Sequence, residues 1–217
     1  MYNKPDLTGV IKSYASFIAC VAFIFCAAPS FAASDMIEKH SADLTAIESY
    51  LNNIRNLSAT FIQESDGNLV EGKFYLARNP QSSGKMRIEY NSTPQILIVV
   101  NGSVLSYYDI ELDEISHLST NTTPASFLTR PNISFSAKDV EITNIKKSAN
   151  EIKISVMKKN RKEAGEFSII FTTNPLKFTR MEVKNDLNQI ISVTLSKIDF
   201  NSTISDKLFV IKNNNLN

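Results

Sequence analysis

The sequence predicts a mainly β protein in which one N-terminal helix packs on a large antiparallel sheet. A single helical pattern comes first, and apolar and polar residues then alternate in strand after strand nearly to the end. A helix is about 10 Å across and neighbouring strands lie about 4.8 Å apart, so one helix covers roughly two of the eight or nine predicted strands. The remaining apolar face must be hidden by a sheet that curls into a barrel or half-barrel, or by two sheets that pack together.

Residues 1–32 are predicted to be a cleavable signal peptide. Lys4 and Lys12 precede an uncharged, mostly apolar run over residues 13–28, and the small residues Ser30 and Ala32 suit a signal peptidase that cuts after Ala32. The alternative is an uncleaved membrane anchor, but the run of about sixteen residues is shorter than the roughly twenty that a spanning helix needs. We therefore expect a secreted chain with one domain, residues 33–217.

Composition limits what this domain can do. Cleavage removes Cys20 and Cys26, so the mature chain has no disulfide, no thiolate metal ligand and no cysteine nucleophile. It keeps 21 basic and 21 acidic residues, and a net charge near zero argues against nucleic acid as a partner. Stability must come from an apolar core, which a chain of this length can build.

The helix is predicted between Met36 and Ile54. Asp35 and Glu38 are spaced as a capping box at its start. Apolar positions at three- and four-residue steps give it one apolar face. These positions are Met36, Ile37, His40, Leu44, Ile47, Leu51 and Ile54.

Hairpins follow the helix. In the first strands, one face carries Phe74 and Leu76 and then Met86, Ile88 and Tyr90. Asn101-Gly102 predicts a type I′ turn that pairs Val100 with Ser103. This pairing puts Ile96, Ile98, Val100, Leu105 and Tyr107 on one face, and Leu97, Val99, Val104 and Tyr108 on the other. Both faces are apolar, so the pattern leaves open which of them lines the interior.

The C-terminal half alternates more clearly. Its apolar positions are Ile152, Ile154 and Val156; Phe167, Ile169 and Phe171; Met181 and Val183; and Ile191, Val193 and Leu195. After Leu195 the parity changes to Ile198 and Phe200, which predicts a β-bulge. Between the two halves, residues 123–128 have Pro124 at a helix start and two large apolar residues behind it, so this loop can cap the open mouth of the sheet.

No pattern in the sequence indicates an enzyme. The chain has two histidines, His40 in the helical pattern and His117 after Ile115, and both are expected to be ordinary helix or surface residues. No nucleophile elbow, HExxH, P-loop or dinucleotide motif is present. The pair Asp113 and Glu114 stands beside a predicted turn and is expected to be solvated. We expect no catalytic residues, no metal and no cofactor.

Five stretches, taken together, resemble a known family. They are Leu57-Ser58-Ala59-Thr60-Phe61-Ile62-Gln63, Glu71-Gly72-Lys73-Phe74-Tyr75-Leu76-Ala77-Arg78, Met86-Arg87-Ile88-Glu89-Tyr90, Asn101-Gly102 with Leu105 and Tyr107-Tyr108-Asp109, and Thr123-Pro124 with Leu128. Their order and approximate spacing resemble the periplasmic outer-membrane lipoprotein carrier proteins of the LolA type. The resemblance covers residues 35 to about 130, and beyond them it is a matching succession of strands.

The resemblance implies an incomplete antiparallel β-barrel, or half-barrel, that encloses an apolar cavity capped by an N-terminal helix and short loop helices. It further implies a periplasmic chaperone, expected to be a monomer, that shields the acyl chains of lipoproteins. Its implied partners are an inner-membrane lipoprotein-releasing ABC transporter and an outer-membrane acceptor lipoprotein. The alternatives are a regulatory module that senses lipid or lipoprotein, and a lipocalin-like binder of small apolar ligands.

The resemblance also assigns residues. Arg78 stands in register with Phe74 and Leu76 and occupies the position of the family's arginine that bonds lid residues, so it is expected to tether the lid through the Pro124–Leu128 region. Strand parity and the lid motif propose a lipid-binding wall, for which ordinary core packing is the alternative reading. This wall comprises Phe61, Phe74, Leu76, Met86, Ile88, Tyr90, Ile98, Leu105, Tyr107, Phe127 and Leu128. The stretch 206–212 lacks the family's closing Pro-x-Gly and final strand, which leaves partner choice open.

Overall fold

A computed structural model describes residues 30–211, without the side chains of residues 30–34, 124 and 125. The predicted signal run over residues 13–28 lies outside the described part. The chain opens with two helices, α1 (Ser30–Lys39) and α2 (Ser41–Asn53). In residues 30–211 there is no helix long and apolar enough to cross a bilayer.

The prediction of one helix with a capping box at Asp35 is wrong. The helical path breaks at His40, whose φ of −110° and ψ of 16° lie outside the helical range. The His40 carbonyl accepts from Leu44 N at 2.9 Å to begin α2, and its ring bonds the Asp43 carboxylate at 3.2 Å. The apolar spacing continues through this break, because the buried residues of α2 are still Leu44, Ile47 and Leu51.

Eleven strands form one antiparallel sheet. They are β1 (Asn56–Ser65), β2 (Asn68–Asn79), β3 (Ser82–Tyr90), β4 (Ile96–Asn101), β5 (Val104–Asp109), β6 (Glu114–Ser119), β7 (Val140–Lys147), β8 (Glu151–Lys158), β9 (Glu166–Thr173), β10 (Leu176–Lys184) and β11 (Ile190–Asp199). Their order in the sheet is β6-β5-β4-β3-β2-β1-β11-β10-β9-β8-β7. Since β6 and β7 do not pair with each other, the barrel is open, as predicted.

The prediction of eight or nine strands is too low because the edge strands carry weak patterns. Strand β6 is exposed at five of its six positions, so it lacks the alternation of a half-buried strand. In β7 the register shifts between Ile142 and Asn144, which interrupts the period of two. The bulge predicted after Leu195 is confirmed: the pairing of β1 with β11 shifts there, and Lys197 has a φ of +49°.

The core lies on one face of the sheet, called here the inner face, against which α2 packs. One continuous cluster of buried side chains joins Leu44, Ile47 and Leu51 of α2 to apolar residues of the strands. The predicted alternation is observed, for example in β2, where Phe74 and Leu76 are at most 1% exposed and Tyr75 between them is half-buried. Burial of this face supplies the main stabilisation of a chain whose described part has no cysteine.

The β4–β5 hairpin has the predicted faces but a different turn. Val100 pairs with Leu105 and Asn101 with Val104, so the turn residues are Gly102 and Ser103, and the predicted pairing of Val100 with Ser103 is wrong. Gly102 has a φ of +63°, and Asn101 does not have a positive φ. A positive φ at the first turn residue is the requirement of a type II′ turn, which glycine meets without strain.

Both faces of this hairpin are apolar because both are covered. Val100 is fully buried on the inner face. On the outer face, Leu97, Val99 and Tyr108 form a second cluster with Phe209, which is 2% exposed. The C-terminal segment that carries Phe209 is bound to the sheet by a hydrogen bond of 2.8 Å from Arg87 to the Leu208 carbonyl.

Candidate functional site

Residues 124–136, called here the lid segment, cross the inner face between β6 and β7. They begin with the 3-10 helix Pro124–Thr129, which confirms the short helix predicted there. Phe127 and Leu128 are at most 3% exposed, and the Phe127 ring stacks on Phe135 at a centroid distance of 5.6 Å. The lid segment is therefore part of the core rather than a solvated loop.

Arg78, near the end of β2, joins the lid segment to α2. Its Nη1 donates to the Leu51 carbonyl at the end of α2, and its Nη2 lies 3.2 Å from Asn52 Oδ1. The same Nη2 donates to the carbonyls of Arg130, at 2.7 Å, and Pro131, at 3.3 Å. One guanidinium thus holds a strand, a helix end and a loop together, which the planar fork of arginine allows and a lysine ammonium does not.

The acceptors of Arg78 differ from the predicted ones in two respects. We expected bonds to the Pro124–Leu128 region, whereas the lid acceptors lie at Arg130 and Pro131, beyond the 3-10 helix. Arg78 also donates to the end of α2, which was not predicted. The carbonyls at the end of a helix have no partner within the helix, so the end of α2 is a natural acceptor for the cation. The helix dipole also places partial negative charge at this end.

Burial sets the electrostatics of Arg78. The side chain is 7% exposed, and burial, with a smaller contribution from the nearby Arg55 cation, lowers the pKa of the guanidinium to about 10. The group therefore stays charged at neutral pH. Its Nε is buried without an acceptor among the described residues, which adds to the cost of burying it.

Two helix residues that the sequence analysis did not single out complete this clamp. Asn52 Nδ2 donates to the Ile133 carbonyl at 2.8 Å, and Asn52 Oδ1 accepts from Ile133 N at 2.9 Å. Glu48 Oε1 accepts from Phe135 N at 2.5 Å and from Ser134 Oγ at 3.1 Å. The available signal was their four-residue spacing, which puts both polar side chains on one flank of the apolar stripe.

Replacing Asn52 with alanine is expected to destabilise the protein by about 2 kcal/mol, because the N–H and C=O of Ile133 lose their partners. The measurement is the urea midpoint of unfolding. Asn53→Ala is the matched control, since Asn53 is the exposed neighbour on the same helix end. Equal midpoints for the two variants would show that Asn52 does not hold the lid segment.

All eleven proposed wall residues lie on the inner face or in the lid segment against it. Phe61, Phe74, Leu76, Met86, Phe127 and Leu128 are buried in the main cluster. Ile88, Tyr90 and Leu105 are half-buried against it. Ile98 and Tyr107 are half-buried too, and the register aligns Phe74, Ile88, Ile98 and Tyr107 across four neighbouring strands. For β4 and β5, where the pattern left two faces open, the inner face is the one with Ile98, Leu105 and Tyr107. Binding of lipid by these residues stays a prediction.

A small space lies beside the lid segment. The space lined by Phe127, Arg130 and Val140 measures about 10 Å³, which is room for about one water molecule. Further along the inner face, the rings of Phe61 and Tyr90 meet edge to face at 5.4 Å, and Tyr90 Oη donates to Gln63 Oε1 at 2.7 Å. A chain-like ligand would have to displace such side chains or move the lid segment.

Each of the two histidines contacts a neighbouring polar side chain. His40 contacts Asp43 at the start of α2, and His117 contacts the Ser106 hydroxyl at 2.9 Å on the edge strands. Within residues 30–211, no group of three histidine, cysteine or carboxylate side chains is arranged to hold a metal ion.

Comparison with known proteins places this geometry in context. The family model described as outer membrane lipoprotein carrier protein LolA matches residues 52–212. An uncharacterized protein of Rickettsia prowazekii (strain Madrid E) is 26% identical over 171 residues, which are 78% of this chain and 76% of that protein.

Solved structures are similar at lower identity. A putative outer membrane lipoprotein-sorting protein domain from Vibrio parahaemolyticus has 6% identity and a TM-score of 0.48, covering 77% of this chain and 94% of that one. A LolA superfamily protein from Nitrosomonas europaea has 11% identity and a TM-score of 0.43, covering 77% and 97%.

Proposed function

Because the chain belongs to the LolA family of outer membrane lipoprotein carrier proteins, we propose that it is a periplasmic chaperone that shields the acyl chains of lipoproteins and carries them from the inner to the outer membrane. The observation that carries this proposal is the juxtaposition of a continuous apolar inner face with a lid segment that Arg78, Asn52 and Glu48 bind to the end of α2. The clamp consists of a few hydrogen bonds, whereas the inner face under the lid segment is a continuous cluster of apolar residues.

The need for a carrier follows from the cost of exposing lipid to water. Each buried CH₂ group is worth about 0.8 kcal/mol, so an acyl chain of roughly sixteen carbons costs on the order of 12 kcal/mol to expose. Apolar side chains on the inner face can shield the acyl chain from water, as the membrane interior does. The alignment of Phe74, Ile88, Ile98 and Tyr107 across four strands provides a continuous track for an extended alkyl chain.

In this proposal, the lid segment opens when the bonds of Arg78 break and closes when they form again. With the lid open, the inner face has room for cargo received from an inner-membrane lipoprotein-releasing ABC transporter. Closure restores charge-assisted hydrogen bonds to the Arg130 and Pro131 carbonyls and returns side chains to the interior, which favours release of the chain to an outer-membrane acceptor.

Binding of a triacylated peptide labelled with a fluorophore tests this function directly. We expect a saturable increase in anisotropy with one peptide bound per chain, and no binding of the same peptide without its acyl chains. Equal binding of both peptides would mean that the polypeptide, and not the lipid, is recognised. Failure of both to bind would contradict the proposal.

Ile98→Asp is expected to weaken binding of the triacylated peptide by about ten- to a hundredfold, because it removes an apolar side chain of 1.5–3 kcal/mol from the track and adds a charge. Ile98 is half-buried, so the fold should tolerate the change better than at Phe74. The control is Ile62→Asp, at a residue that is 45% exposed on the outer face of β1. Anisotropy titrations with the two variants should separate them, and similar losses in both would place the lipid elsewhere.

A further inference from the structure

A groove of about 390 Å³ runs along the N-terminal half of α2. Its other side is formed by the β7–β8 turn around Ser148 and by the β9–β10 turn around Asn174. Ile47 and Ile152 line the groove, are each 1% exposed, and belong to the main core cluster. The groove therefore reaches from solvent to the side chains that make the inner core.

Size distinguishes this groove from the space beside the lid segment. The latter measures about 10 Å³, whereas a ligand pocket typically measures about 300–1,000 Å³. The groove is open to solvent along one side, so part of its volume lies at the protein surface and its floor is the way toward the core. Of these two spaces, the groove is the larger.

The two ends of α2 are attached differently. The C-terminal end is fixed by Arg78 and by Glu48 and Asn52, which bind the lid segment. Across the groove, the described link is the ion pair of Asp43 with Lys147 Nζ, at 2.7 and 2.9 Å, and both side chains are partly exposed. An exposed ion pair contributes little to stability. Leu44 and Ile47 of this half are buried in the core, so its movement uncovers apolar side chains that an entering alkyl chain can cover again.

We infer that the groove is the port through which the acyl chain of the cargo reaches the inner core, with the Asp43–Lys147 pair as its latch. The N-terminal half of α2 moves away from the β7–β8 turn, about its clamped C-terminal end, and an alkyl chain passes between Ile47 and Ile152. This inference rests on the proposed function, because it names the route to the same apolar core.

The port is tested with a tryptophan placed in the groove, since the chain has none of its own. Ala46 lines the groove and is exposed, so Ala46→Trp introduces a single fluorophore there. The control is Ser49→Trp, at an exposed position of the same helix. The probe is a long-chain fatty acid brominated near its middle, which quenches nearby indole fluorescence. We expect strong quenching at position 46 and little at position 49.

The latch is tested by the rate of uptake of the same fatty acid in stopped-flow mixing. Asp43→Asn and Lys147→Gln should each speed uptake about two- to fivefold, the factor that corresponds to an exposed ion pair. Exchange of the two charges, by Asp43→Lys with Lys147→Asp, should restore the slow rate. Such rescue is not expected if each substitution acts only through the local propensity of its own helix or strand.

The outcomes separate the two proposals. If the fatty acid binds but quenches both tryptophans equally, or if the latch variants take it up at the rate of the wild type, the port is wrong and the carrier function stands. If neither the fatty acid nor the triacylated peptide binds to the wild-type protein, both proposals are overturned.

Discussion

Arg78→Leu is expected to leave the protein folded but to trap acylated cargo in it. The variant loses the charge-assisted bonds to the Arg130 and Pro131 carbonyls, which are worth about 1.5–3 kcal/mol each. A loss of about 3 kcal/mol shifts the ratio of closed to open lid about a hundredfold toward the open form. Closure can then no longer displace the acyl chain, and transfer to acceptor vesicles should fall at least about tenfold.

The fold should survive because the substitution also removes a cost. Burial lowers the pKa of the Arg78 guanidinium to about 10, and its Nε has no acceptor among the described residues. Leucine in the same place needs no such desolvation, and this gain offsets part of the lost hydrogen bonding. We therefore expect an unchanged circular dichroism spectrum.

Arg55→Leu is the matched control for this variant. Arg55 also donates to a carbonyl at the end of α2, that of Asn52 at 2.8 Å, but it is exposed. The Arg55→Leu variant should transfer a labelled triacylated peptide at the rate of the wild type. Transfer by Arg78→Leu at that same rate would contradict the role of Arg78 as the tether of the lid.

Gly72→Ala is expected to cost at least about 3 kcal/mol of stability, through overpacking that the backbone cannot relieve. A Cβ at Gly72 would lie 2.2 Å from the Glu89 carbonyl oxygen and 2.5 Å from Phe61 Cζ. Gly72 pairs with Phe61 on β1 and with Tyr90 on β3, so the Phe61 ring lies over the glycine and meets the Tyr90 ring at 5.4 Å. Covering a strand glycine with a cross-strand aromatic ring is a known way to stabilise sheets.

Gly84→Ala provides the comparison. A Cβ there would lie 3.1 Å from the Ala77 carbonyl oxygen, 3.2 Å from Arg78 Cγ and 3.3 Å from Thr129 Cα, so these neighbours would have to shift by only a few tenths of an ångström. We expect a loss below about 1 kcal/mol. Chemical denaturation of the two variants measures the difference, and equal stabilities would show that the packing of Phe61 over Gly72 is not tight.

Local patterns sufficed for the alternation of the sheet faces and for the presence of a hairpin near Gly102. Phe74 and Ile88 were placed on one face by the period of two alone, whereas two apolar faces left the orientation of Ile98 open. Such signals depend on neighbours in the chain, so a single sequence contains them. The assignment of Arg78 depended on the family resemblance, since its register with apolar residues indicates only an unusual environment.

Long-range contacts were not predictable in the same way. Asn52 and Glu48 bind residues that lie more than eighty positions away, and nothing in the helical period names those partners. The outer-face cluster was missed because Phe209 ends the 3-10 helix Asp206–Phe209, which is too short for a period to reveal its burial. The break at His40 was missed because the apolar spacing continues through it.

What the protein carries when it is taken from the periplasm without detergent is the most direct test of an acyl-chain carrier. Mass spectrometry of the native protein, followed by extraction into organic solvent, should find a triacylated polypeptide, in greater amount on Arg78→Leu than on the wild type. Recovery of a small apolar compound, or of no acylated polypeptide from either protein, would contradict the proposal that lipoproteins are the cargo.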